Sequence, residues 1–274
     1  MNSAFAKSLH SPSLLPPNLP LESLTGEAIA FLQKFEPPNG YFVGFSGGKD
    51  SIVTLALCRM AGVRHEAVYS CTGIDAPEVV RFIRRQYVDV AFAYPKITFW
   101  EGIRRHSPPL RMQRWCCNLL KKSPVKRHPL FRHSVLGIRA EESSRRAARG
   151  RVEITGKRKI RVIYKPIFHW DEGQIWGFIQ KNKLPYPCLY DEGFSRIGCV
   201  ICPFIMHRNQ HQLLRHKARW PQLFRVFEKV TADWHSQRTH RNLDIYGGET
   251  AEQYLAAYYR GFELPLPTGN GGKK

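Results

Sequence analysis

Apolar residues in this chain gather in short runs separated by glycine, proline and charged residues, and their spacing predicts alternating strands and helices. Tyr41-Phe42-Val43-Gly44-Phe45 is an apolar run of strand length, followed by Ser46-Gly47-Gly48-Lys49-Asp50-Ser51 and then Ile52-Val53-Thr54-Leu55-Ala56-Leu57-Cys58. The pattern predicts a buried strand, a glycine turn, and a helix opening just after Asp50 and Ser51, both good capping residues. A second strand follows near 65–69. Pro77 suits the first turn of the next helix, whose apolar face is Val79, Val80, Ile83 and Tyr87, and a third short strand lies near 88–93. Val135-Leu136-Gly137-Ile138-Arg139 reads as another strand, and residues 151–164 alternate around Thr155-Gly156-Lys157 like an exposed basic hairpin. Asp171 with Gln174 three residues on is a capping-box start for a helix with Ile175, Phe178 and Ile179 on one face. Trp220, Leu223, Phe224, Phe227, Val230 and Trp234 fall at helical spacing around Pro221 and predict a core-packed helix.

Strand-helix-strand alternation predicts an α/β fold with a parallel twisted sheet, right-handed crossovers and helices on both faces. Ligands then sit at the carboxyl ends of the strands. The C-terminal part reads as helical. In linear terms the expectation is an N-terminal arm over 1–21, a main domain over 22–204, a helical extension over 205–267 and a polar glycine-rich tail over 268–274.

The 274 residues, 43% of them hydrophobic, suit a globular protein with ample core, and no apolar run is long enough to span a bilayer. The first 20 residues lack the basic start, apolar core and cleavage site of a signal peptide, so a cytoplasmic location is expected. In that compartment the seven cysteines suggest metal or sulfur chemistry more than disulfides. Forty-two Lys and Arg against 22 Asp and Glu give a formal charge of +20, which favours a polyanionic partner, most commonly nucleic acid. The excess is concentrated between Arg139 and Lys165, with ten Lys or Arg and three Glu.

A strand that turns on glycines into a helix N-terminus is an anion site. Backbone N–H groups, the helix dipole, the Lys49 ammonium and the Ser51 hydroxyl would converge on phosphate oxygens there. The four-residue spacer of a Walker A loop is missing between the glycines. A second chemical signal is Cys116-Cys117, followed about eighty residues on by Cys199-Val200-Ile201-Cys202. Four thiolates can close an S₄ shell around a [4Fe–4S] cluster or zinc, and free or redox-active thiols are the remaining reading. Structural zinc usually takes two separated pairs, which adjacent cysteines fit poorly. His207, His211 and His216 lack a common i, i+4 spacing and suggest no further metal site.

The hexapeptide of residues 46–51 resembles the PP-loop signature of ATP pyrophosphatases, which cleave ATP between the α and β phosphates. Thr72-Gly73-Ile74-Asp75-Ala76-Pro77-Glu78 is similar to the second motif of the phosphoadenylyl-sulfate reductase family, with Cys71 where that family usually has Asp. Gly137-Ile138-Arg139, followed by Glu141, Glu142, Ser143, Arg145 and Arg146, resembles a third family motif, used near the nucleotide and its anionic substrate. The two cysteine pairs resemble those of iron–sulfur adenylyl-sulfate reductases and of the DNA-phosphorothioation proteins of the DndC and SspD type. Sulfonucleotide reductases use a C-terminal cysteine as nucleophile, and no cysteine follows Cys202 here, which turns the expectation toward the phosphorothioation group.

That resemblance implies a PP-loop, adenine-nucleotide alpha-hydrolase-like fold binding ATP and Mg²⁺, with Lys49, Asp50 and Ser51 as catalytic residues. It implies nucleotide contacts from Ser46, Gly47, Gly48, Thr72, Gly73 and Arg139, and substrate contacts from Arg145 and Arg146. Cys116, Cys117, Cys199 and Cys202 would hold a [4Fe–4S] cluster. The implied activity is an AMP- and pyrophosphate-forming sulfurtransferase acting on DNA, with a cysteine desulfurase as donor and other DNA-modification proteins as partners. A tRNA-thiolating enzyme, a sulfonucleotide reductase-like protein and a non-catalytic nucleotide-sensing DNA-binding subunit are the alternatives.

Overall fold

The apolar runs of strand length form strands, although the run at 135–139 is strand only as far as Leu136, and the amphipathic runs form helices. The computed structural model describes residues 19–156, 160–206, 210–239 and 250–261. In chain order its main elements are α1 (Leu21–Lys34), β1 (Tyr41–Phe45), α2 (Lys49–Met60), β2 (His65–Ser70), α3 (Pro77–Gln86), β3 (Ala91–Ala93) and α4 (Phe99–Arg105). They continue with β4 (His133–Leu136), β5 (Val152–Thr155), β6 (Arg161–Tyr164), α5 (Glu172–Lys181), α6 (Gln210–Arg219), α7 (Pro221–Thr239) and α8 (Ala251–Arg260). Most of the N-terminal arm, Lys157, His207 and the tail over 268–274 lie outside the described residues.

The six strands run in the order β3-β2-β1-β4-β6-β5, all neighbours parallel except the β5–β6 hairpin. This is the mostly parallel sheet the alternation predicts, with the antiparallel hairpin closing one edge. Tyr41, Phe42, Val43 and Phe45 of β1 are all buried, as a central parallel strand covered on both faces requires. Helices α1, α2 and α5 pack against one another, and the Tyr41 hydroxyl donates to Leu32 O of α1 at 2.9 Å. The chain runs outward from β1 to β2 and β3 on one side and returns to β4 on the other. The carboxyl end of β1 is therefore the switch point of the sheet, where open α/β sheets leave a crevice for ligands.

The described chain forms two compact units. The sheet and helices α1, α2, α3 and α5 make up the first. Residues 72–76, 96–120 and those from Cys199 onward make up the second, so Cys116, Cys117, Cys199 and Cys202 are grouped with the C-terminal helices rather than with the sheet. In the second unit Thr98 caps α4 through a reciprocal box with Glu101. Helix α7 buries Phe224, Phe227, Val230 and Trp234, the stripe legible in sequence, and packs against α4 and α8. Its Phe227 ring stacks on Phe99 at 6.4 Å. Among the described residues no helix is long and apolar enough to cross a membrane.

Candidate nucleotide site

The glycine turn is built by its own hydroxyls. Ser51 Oγ donates to Gly48 O at 2.8 Å and accepts from the Ser46 N–H and Ser46 Oγ, both at 3.1 Å. Helix α2 begins at Lys49, with Gly48 as an N-cap that offers no side-chain bond. The helix thus starts earlier than capping chemistry predicts, because the Ser51 hydroxyl closes the turn and the Asp50 carboxylate points elsewhere. Gly47 sits at φ +72°, and a Cβ there would lie 2.9 Å from Ile83 Cδ1 and 3.0 Å from Val79 Cγ1. Only glycine permits both that backbone and that packing.

Lys49 is 5% exposed, and its ammonium lies 3.3 Å from both Ser195 O and Glu172 Oε1. Its backbone N–H donates to the Tyr190 hydroxyl at 2.9 Å, and its ammonium stands over the same ring at 5.6 Å. Burial pushes the Tyr190 phenol up to about 12; the Lys49 N–H opposes that shift and the Asp50 and Glu172 charges add to it. Tyr190 is held by an edge-on contact with Trp176 at 5.0 Å. Tyr190 and Ser195 thus bring a segment that carries no sequence motif onto the turn. No periodicity marks them, because the contact joins residues 141 positions apart.

Arg139 reaches the turn from the end of β4. It is 3% exposed, and its Nε donates to Asp50 Oδ1 at 2.6 Å while Nη1 pairs with Glu141. Burial would lower this guanidinium, but the Asp50 and Glu141 charges outweigh it and hold the pKa raised. The approach depends on Gly137, where a Cβ would meet Asp50 O at 2.6 Å. Arg146 pairs with Glu142 and is lowered by burial and by the Arg196 charge. Arg145 is exposed. The first unit therefore brings together the turn, Lys49, Asp50, Arg139 and Arg146, and adds Glu172, Tyr190 and Arg196.

Much of the basic run is spent inside this unit. Besides Arg139 and Arg146, Arg149 pairs with Glu153 at 3.1 Å, Arg151 with Glu27, and Lys165 with Glu153 at 2.8 Å. Arg161 donates to Ser134 Oγ at 3.0 Å and stands 3.9 Å over the Phe131 ring. A run that reads as a solvated cationic face is to a large part an internal ion-pair frame.

Thr72 and Gly73 fall in the second unit, where the Thr72 N–H donates to Asp75 Oδ2 at 2.7 Å. Asp75 and Cys199 form an antiparallel bridge, the Val200 N–H donates to Ile74 O at 2.8 Å, and the Cys199 thiol lies 3.7 Å from both Asp75 Oδ1 and Thr72 Oγ1. The second motif is thereby fastened to the second cysteine pair, a link the sequence spacing does not reveal. Cys116 is raised by its hydrogen bond with Cys117 and by burial, with the charges of Cys117, Cys199 and Cys202 acting in the same direction. All four sulfurs share one electrostatic neighbourhood, and as a donor set they fit a soft metal. Among the described residues, however, no three His, Cys, Asp or Glu side chains form a group that could hold a metal ion.

A parallel α/β sheet with a glycine turn and helix N-terminus at its switch point defines a nucleotide-binding protein of the PP-loop type. Residues 40–204 match the phosphoadenosine phosphosulfate reductase domain family, and the chain belongs to that family. It is 31% identical to an uncharacterized protein of Methanocaldococcus jannaschii over 227 residues, which are 78% of this chain and 46% of that protein. It is 28% identical to the phosphoadenosine 5'-phosphosulfate reductase of Gloeobacter violaceus over 165 residues, 56% of this chain and 66% of the relative. The chain spans about half the length of the first of these relatives. The phosphoadenylyl-sulfate reductase of Candida auris, solved as a phosphate complex, shares the fold with a TM-score of 0.52 at 19% identity, covering 66% of this chain and 96% of that one.

Proposed function

We propose that this protein is an ATP pyrophosphatase that activates a nucleic-acid backbone phosphate for sulfur insertion, with DNA as the substrate and a cysteine-desulfurase persulfide as the sulfur source. The observation that carries the reading is the turn itself: a Walker-unlike glycine loop on a helix N-terminus, with buried Lys49 beside it. In the first step a non-bridging oxygen of the phosphodiester attacks the α-phosphorus of ATP, and the bond to the β-phosphate breaks. The turn N–H groups and Lys49 stabilise the charge on the departing pyrophosphate. In the second step the terminal persulfide sulfur attacks the diester phosphorus, and AMP leaves carrying that oxygen. A thiol reductant then cleaves the remaining S–S bond, leaving sulfur on phosphorus.

Asp50 and Arg139 hold one another beside the loop, and in this reading the guanidinium would share its charge with a bound phosphate. Magnesium, bound with the nucleotide, would neutralise phosphate charge in this reading. Cys116, Cys117, Cys199 and Cys202 would hold a [4Fe–4S] cluster, which would supply fixed charge and cross-linking of two segments of the second unit.

The family match favours one second reading, a sulfonucleotide reductase-like activity on an adenylyl sulfate. Product analysis separates the two. Purified protein given ATP, Mg²⁺, a persulfide donor, a thiol and DNA is expected to form AMP and pyrophosphate, and Lys49→Ala to lose this by at least about a hundredfold. Sulfite released from adenylyl sulfate with no pyrophosphate from ATP would establish the reductase reading. ADP and phosphate would overturn both. Activity with tRNA but not DNA would assign a thiolating enzyme, and ATP binding without turnover a nucleotide sensor.

A further inference from the structure

An open pocket of about 540 Å³ lies on the surface of the second unit, lined by Arg105, His106, Gln113, Arg114, Trp115 and Asn118 among other residues, none of them acidic. Its aromatic wall is packed against neighbouring side chains. Trp115 stacks on Phe99 at 5.7 Å, faces His106 at 5.5 Å and donates from Nε1 to Ser107 O at 2.9 Å. Gly102 lets it approach so closely that a Cβ there would meet the indole at 2.1 Å. Arg105 and Arg114 are exposed; the first has Glu101 at 3.9 Å, and the second stands 4.9 Å over the Phe204 ring. Residues 96–120 carry five Lys or Arg against the single acid Glu101. That contrasts with the 139–165 run, where six of the ten cations are engaged inside the first unit.

We infer that this pocket binds one unpaired nucleotide of a nucleic-acid strand. The two guanidiniums suit the flanking phosphates, and the Gln113 and Asn118 carboxamides offer both donors and acceptors to a base edge. Trp115 and His106 offer the aromatic wall that single-strand binders use. The volume is that of a small-ligand pocket, and a base stacked inside a duplex cannot enter it. The inference rests on the nucleic-acid part of the proposed function and not on its ATP chemistry.

The test is fluorescence anisotropy with a short labelled single strand, as DNA and as RNA of the same sequence, and with the DNA duplex. The wild-type protein is expected to prefer single strands, and the DNA and RNA arms tell which polymer it takes. Arg105→Glu and Arg114→Glu are each expected to weaken binding by about tenfold and to reduce the salt slope by about one. Arg81→Glu, an equal charge change on α3 in the first unit, is expected to cost less than about threefold. Equal losses from Arg81→Glu, an unshifted Arg105→Glu and Arg114→Glu pair, or a duplex bound as well as the single strand would each overturn the inference. Salt-dependent binding insensitive to both pocket variants would place the nucleic-acid site elsewhere and leave the proposed function standing. A wild-type protein that binds no strand but still splits ATP would remove the pocket and the nucleic-acid substrate together, and spare the ATP chemistry.

Discussion

Tyr190 holds the Lys49 N–H, one of the helix N-terminal donors that a phosphate oxygen would need. A single N–H cannot serve both partners fully, so a phosphate bound there would compete with the phenol. Removing the hydroxyl by Tyr190→Phe leaves that donor unpaired in the free protein. The expected result is a loss of about 1 kcal/mol in stability together with about fivefold tighter pyrophosphate binding, read by thermal denaturation and calorimetry. Weaker pyrophosphate binding in that variant would mean the phenol assists the anion instead. Asp50 and Arg139 form the other decisive pair. With Arg139 buried, Asp50→Asn removes most of its compensation, and Glu141 supplies the rest; an expected loss of about 3 kcal/mol is measurable by denaturant unfolding. Thiol reactivity should divide the cysteines not assigned to the cluster. Burial pushes Cys58 up to about 12, whereas Cys188 is exposed. Brief alkylation of the native protein near pH 8, mapped by mass spectrometry, should label Cys188 and leave Cys58 untouched.

At the scale of elements, the strand-turn-helix of residues 41–60 depends on one backbone angle. Gly47→Ala forces a left-handed non-glycine residue against Val79 and Ile83 of α3. The expected cost is about 2 kcal/mol or more, with loss of pyrophosphate binding, because the turn cannot keep its shape. An unchanged melting temperature would show that α3 gives way without effect. Local patterns served well where an element carries its own signal. The Asp171 and Gln174 capping box starts α5, and Phe224, Phe227, Val230 and Trp234 of the apolar stripe form the buried face of α7. The start of α2 was less legible. Ser51 and Asp50 are capping residue types, but one closes the turn and the other pairs with Arg139, so Gly48 takes the cap.

Across the whole molecule, the net charge of +20 overstates the cationic surface of the 139–165 run, because that run forms ion pairs with acids as distant as Glu27. Charge counts do not reveal which cations the fold neutralises. Alkaline pH should expose the buried phenols. Tyr87 and Tyr190 are both raised to about 12, chiefly by burial, so the folded state keeps their protons while the unfolded chain releases them from about pH 10. Their contribution is complete below pH 10 and is lost as pH rises through about 12. Unfolding monitored across that window should show stability falling steadily, and Tyr190→Phe should flatten part of the fall.

By itself the sequence determined the strand-helix alternation, the parallel sheet, the glycine turn and the residues that carry chemistry, because each is written in periodicity or in a contiguous motif. Tertiary structure alone decided what those residues touch. Tyr190 meets Lys49 across 141 positions, Arg139 meets Asp50 across 89, and Asp75 meets Cys199 across 124. Strand order and the close approach permitted at Gly137 and Gly102 bring distant segments together, and such pairings leave no trace in the spacing of neighbours along the chain.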